Sequence, residues 1–135
     1  MSVKRLFEES EYPVRVVGSS KMDAALSQLE KNDDYHAVLI DWDESPDDGL
    51  ALSCAIKERG EPVVVAYQKR WSRDDIRRAL QLGIDCLMVS PFSAGDVIRD
   101  IQAVYDDGES LSRRQILEQG GMDLLEADPT LWNEQ

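Results

Sequence analysis

Ala37-Val38-Leu39-Ile40-Asp41-Trp42-Asp43 decides the reading of this chain. Four apolar residues in a row, closed by an acid, suit a strand covered on both faces, since a strand with one wet face would alternate. Val63-Val64-Val65-Ala66 and Cys86-Leu87-Met88-Val89 repeat the pattern, and Val14-Arg15-Val16-Val17 adds a fourth strand that ends at Gly18. Helical spacing fills the intervals. Val3, Leu6 and Phe7 mark one helix, and Met22, Ala25, Leu26 and Leu29 share one face of the next. Leu52, Ala55 and Ile56 mark another, closed by Gly60. Ser72 with Asp75 and Ser93 with Asp96 read as capping pairs that open two more helices, the first stopped by Gly83. Residues 106–121 are polar, with one helical turn at residues 111–117. Strands alternating with helices predict an α/β domain with a doubly wound parallel sheet and helices on both faces. Function in such sheets gathers at the carboxyl ends of the strands. Those ends carry Asp41-Trp42-Asp43-Glu44, Tyr67-Gln68-Lys69 and Ser90-Pro91-Phe92.

Composition narrows the classes. The 135 residues suffice for one domain, 42% apolar and 31% charged. The net charge is −12, and the last thirty residues hold eight acids and two bases. Such a chain repels phosphate backbones, which argues against nucleic acid as a partner. No apolar run approaches the roughly 20 residues of a membrane span, and the charged N-terminus lacks a signal peptide's apolar stretch. Cys54 and Cys86 form no framework, so the chain reads as cytoplasmic. His36 stands alone, which leaves no His-rich metal site and excludes most Ser-His or Cys-His catalysis; it reads as structural.

Val38-Leu39-Ile40-Asp41, with Asp48-Gly49 seven and eight residues on, resembles the phosphoacceptor segment of CheY-like receiver domains of response regulators. Gly83, followed by Cys86-Leu87-Met88-Val89-Ser90-Pro91-Phe92, is similar to the family's approach to its Lys-Pro-Phe. The resemblance covers residues 3–107 and implies a flavodoxin-like sheet. It makes Asp41 the candidate phosphoacceptor. An aspartate can attack a phosphoryl group to form an acyl phosphate, with Mg²⁺ neutralising the transferred charge. The phosphoryl-contact positions fall at Tyr67 or Gln68 and at Ser90, where the family has Ser or Thr and Lys. The family's coupling aromatic, three residues before the Lys, is Leu87. By the same resemblance Ser90-Pro91 is expected to be cis.

Only Met1 and Ser2 precede Val3, so the family's first strand, with its acidic pair, is expected elsewhere. The order 2-1-3-4-5 makes that strand central. Residues 122–127 of the acidic extension 108–135 have the apolar residues and acidic turn to supply it, within one chain or by exchange in a homodimer. Asp128 would then cap the first helix and Pro129 open it. Glu126 would stand near Asp41 and Asp43 as a weak third metal ligand. The other reading of the extension is a loose acidic tail.

The replaced contacts predict a receiver-like signalling domain with degenerate phosphotransfer, working through protein–protein contact. It is then no enzyme beyond phosphoryl acceptance on Asp41, and at most a weak Mg²⁺ binder. The first alternative is a working receiver that takes a phosphoryl group on Asp41 from a histidine kinase. The second is a small metal-dependent phosphohydrolase using Asp41 and Asp43. The partner is a signalling protein, kinase or output. Trp71 with Arg70, Arg73 and Arg77, beside Lys69 and Arg78, is the expected partner surface, because Arg and Trp are enriched at interfaces. Its bland counterpart is a solvated helix face, and a weak third reading is nucleic acid. Trp42, in a polar strand-end loop, is expected to be a lid on the site or a partner anchor. The acidic stretch 41–48 also reads plainly as solvated loop.

Overall fold

Among the described residues, the computed structural model has three strands: β1 (Ala37–Asp41), β2 (Val63–Gln68) and β3 (Cys86–Val89). They are parallel and lie in the order β1-β2-β3. Residues 3–12, 21–31, 34–43, 46–59 and 62–118 are described. The expected strand at residues 14–17, the stop at Gly60, Glu44, the segment 122–127 and Glu126 lie outside them. The described part is therefore an α/β fold with a three-stranded parallel sheet.

Register and alternation sort the side chains. Leu39 pairs with Val65, Asp41 with Tyr67, and Tyr67 in turn with Met88. Successive strand residues face opposite sides. Val38, Ile40, Val64, Ala66 and Leu87 meet Leu26 and Leu29 of α2 (Met22–Lys31), Ile56 of α3 (Pro46–Glu58) and Ala79 of α4 (Arg73–Leu82). On the other face, Leu39, Tyr67 and Met88 meet Phe7 of α1 (Val3–Glu8) and Val97 of α5 (Ala94–Asp107). Val63, Val65 and Cys86 pack there too, against Ile101 and Val104. This two-sided cover is why the strands read as unbroken apolar runs. The middle strand β2 is buried from Val63 through Ala66, whereas Ala37, Val38 and Leu39 of β1 are half-buried.

The caps follow the sequence. Ser72 accepts from the Asp75 amide and Asp75 returns the bond, so α4 opens on a reciprocal box. Gly83 closes it at φ 74°, a left-handed position that suits a residue without a side chain. Ser93 caps α5. The acidic stretch 41–48 is shorter as a loop than its charge suggests. Helix α3 begins at Pro46, which puts Asp47 and Asp48 in its first turn, where carboxylates face the positive end of the helix dipole. Nor does the chain leave the fold after Asp107. Ser110 caps a further short helix, α6 (Leu111–Ile116), which packs on β3.

Candidate functional site

The carboxyl ends of the strands meet as the parallel sheet requires. Asp41 is the last residue of β1 and pairs with Tyr67. The Ser90 amide donates to the Gln68 carbonyl at 3.0 Å, which continues the ladder past β3. The Ser90-Pro91 peptide is cis, as the resemblance implied. Phe92 then returns to the core, edge-on to Tyr67 at 5.3 Å. Sheet register thus brings Asp41, Tyr67, Gln68 and Ser90 to one end of the molecule.

The polar groups there are largely engaged with one another. Asp41 Oδ1 accepts the Asp43 amide at 2.8 Å, an Asx turn that folds the loop back on its own acid. Asp43 Oδ2 accepts the Lys69 amide at 2.9 Å and ties the loop after β1 to the loop after β2. The buried Gln68 donates from Nε2 to Asp75 Oδ2 at 3.1 Å, toward α4. Of the two positions expected to contact a phosphoryl group on β2, Tyr67 therefore shares Asp41's register, while Gln68 is turned to the capping acid of α4. Among the described residues, no three His, Cys, Asp or Glu side chains are grouped to hold a metal. Asp41 and Asp43 are the two candidate metal acids that can be placed.

Trp42 is neither a lid at the surface nor an exposed anchor. Its indole is 3% exposed and belongs to the core on the α2–α4 face. Alternation explains this: Asp41 points to one face of β1, so the next residue points to the other. Indole Nε1 donates to Ser53 Oγ at 3.3 Å, and Ser53 donates onward to the Gly49 carbonyl at 2.7 Å. Gly49 is where α3 passes closest. A Cβ there would lie 2.8 Å from Trp42 Cδ1 and 3.1 Å from the Asp41 carbonyl. A glycine at position 49 is thus a packing requirement of α3 against the strand-end loop.

Trp71 packs 5.3 Å from Trp42, tilted by 42°, and donates from Nε1 to the Met88 carbonyl at 2.9 Å. It is half-buried and fastens the loop before α4 to the end of β3. The expected partner surface therefore divides. Lys69, Arg70, Arg73 and Arg78 are exposed, whereas Trp71 turns inward. Arg77 is half-buried, and its Nε is enclosed without a hydrogen-bond partner among the described residues. His36 precedes β1, at the end of the strand opposite Asp41, and its backbone carbonyl accepts the Tyr105 hydroxyl at 2.6 Å.

Sequence reasoning missed the Trp42–Ser53–Gly49 chain and the Gln68–Asp75 bond. Ser53 follows Gly49 by one helical turn, a usable signal, but nothing in the sequence marks which way an indole turns. Among the described residues, no helix is long and apolar enough to cross a membrane. No protein-family model matches the chain, and neither does any curated protein.

Proposed function

We propose that this chain is a receiver-like signalling domain of flavodoxin-like topology, in which phosphotransfer is degenerate and function lies in protein–protein contact. The carrying observation is the fate of the groups around Asp41. The carboxylate accepts its own loop's amide, Gln68 is committed to Asp75, and position 90 holds a serine. Position 90, where the family has Lys, therefore offers no side-chain cation to a phosphoryl group at Asp41. Phosphoryl transfer depends on positioned charge stabilisation, so the reaction would lack its main source of acceleration.

Contact chemistry would come from Arg70 and Arg73, exposed at the start of α4, with Arg78 exposed one turn further on, on a chain of net charge −12. Exposed arginines favour acidic groups at the point of contact on a partner. Intact mass spectrometry after incubation with acetyl phosphate and Mg²⁺ tests the reading. The expected result is an unchanged mass. An added mass of about 80 Da, one phosphoryl group, that disappears in Asp41→Asn would overturn it in favour of a working receiver.

A further inference from the structure

The outer edge of β3, on the side away from β2, is closed by side chains. The Leu87 amide donates to Ser112 Oγ at 3.1 Å. Ser110 Oγ donates to the Asp85 carbonyl, and an Arg113 guanidinium nitrogen donates to the Ile84 carbonyl at 3.3 Å. Behind these bonds stands Asp100 of α5. Its Oδ1 accepts the Ser112 amide at 2.9 Å, and its Oδ2 accepts the Ser112 hydroxyl. Asp100 is 3% exposed and Ser110 fully buried. One carboxylate thus gathers a serine that in turn satisfies an edge amide of the sheet.

The apolar side of this attachment is slight. Helix α6 has six residues and buries no side chain fully. Leu111 is 49% exposed. Ile116 is partly buried against the core on the α2–α4 face, while α5 covers the opposite face, so the segment wraps around the edge. A helix this short has no stability of its own. An element held by polar bonds and little apolar area opens at a lower free energy than the fold beneath it.

We propose that residues 109–116 form a strap that opens and closes as a unit over the edge of β3, with Asp100 as its latch, while the sheet and the remaining helices stay folded. The opening uncovers the Leu87 amide and the Asp85 carbonyl, backbone groups that would otherwise invite strand pairing. Cys86 reports it. That thiol is fully buried, and its residue lies between Asp85 and Leu87, whose carbonyl and amide the strap covers.

The experiment uses the full chain carrying Cys54→Ser, so that Cys86 is the remaining thiol, and measures its reaction with a disulfide reagent across a urea series. Below the unfolding transition, the labelling rate should be nearly independent of urea, because a local opening exposes little surface. Asp100→Asn and Ser112→Ala should each raise that rate by roughly tenfold, the loss of a bond to a buried carboxylate. Ile56→Val, in α3, should lower the unfolding midpoint and leave the low-urea rate unchanged. Labelling that follows global unfolding with the full urea slope would overturn the proposal, as would equal acceleration by Ile56→Val and Ser112→Ala. If either latch variant fails to fold, the urea dependence of the parent decides the matter alone.

Discussion

Gly49 concentrates the constraints at the residue scale. Placing a methyl group 2.8 Å from Trp42 Cδ1 and 3.1 Å from the Asp41 carbonyl forces the loop or the indole to move. Alanine at a helix position recovers up to about 1 kcal/mol of propensity, but overpacking costs typically 1–3 kcal/mol. Gly49→Ala should therefore destabilise by about 1 kcal/mol or more in urea unfolding and shift the Trp42 emission. Ser53→Ala leaves the Trp42 indole N–H enclosed without its acceptor, with an expected loss of about 1–3 kcal/mol. Cys86 gives a pH prediction. Burial, followed by the charges of Asp100 and Asp85, pushes its thiol well above the ordinary value of 9.0. The folded thiol then keeps its proton where the unfolded one loses it. Its contribution is fully present below pH 9 and falls as pH rises beyond it, at up to about 1.4 kcal/mol per pH unit. Unfolding free energies measured from pH 8 to 10 should fall less steeply in Cys86→Ala than in the parent.

At the scale of elements, the legible features are those written in local pattern. The runs 37–40, 63–66 and 86–89 announced their strands because both faces are covered, and Ser72 with Asp75 announced its helix because capping is a contact three residues long. Ser72→Ala should cost about 1 kcal/mol, read from the urea midpoint. Asp75→Ala should cost more, because Gln68 loses its partner as well. What the pattern did not carry were contacts between distant elements. Trp42 and Trp71 both looked like surface aromatics in polar loops, yet each turns to the core and they pack together. Helix α3 starts earlier than expected because Pro46 can open a helix and the acids after it favour the first turn. The strap over β3 depends on Asp100 and Ser112, twelve residues apart across a turn, and their pairing has no local signature.

Across the whole molecule, charge is the feature that reaches furthest. A net charge of −12 sets a general repulsion for anions, within which Arg70 and Arg73 stand as exposed cations at the start of α4. Association through those arginines should weaken as salt rises from low to physiological strength, since exposed charges are screened over about 8–10 Å. Reversing Arg70 and Arg73 to glutamate should slow association several-fold while the melting transition stays in place. The candidate site was legible as a place, since the strand ends could be read directly. Its internal wiring was not, because Asp41, Asp43, Lys69 and Gln68 join through single hydrogen bonds between loops. That wiring supports the proposal that Asp41 serves the fold and does not receive phosphoryl groups. The most direct measurement is an amide-resolved NMR titration of the chain with Mg²⁺ and beryllofluoride, a mimic of an acyl phosphate. No saturable shifts are expected at Asp41, Asp43, Lys69 or Ser90. Saturable, Asp41-dependent shifts at those four amides would contradict it.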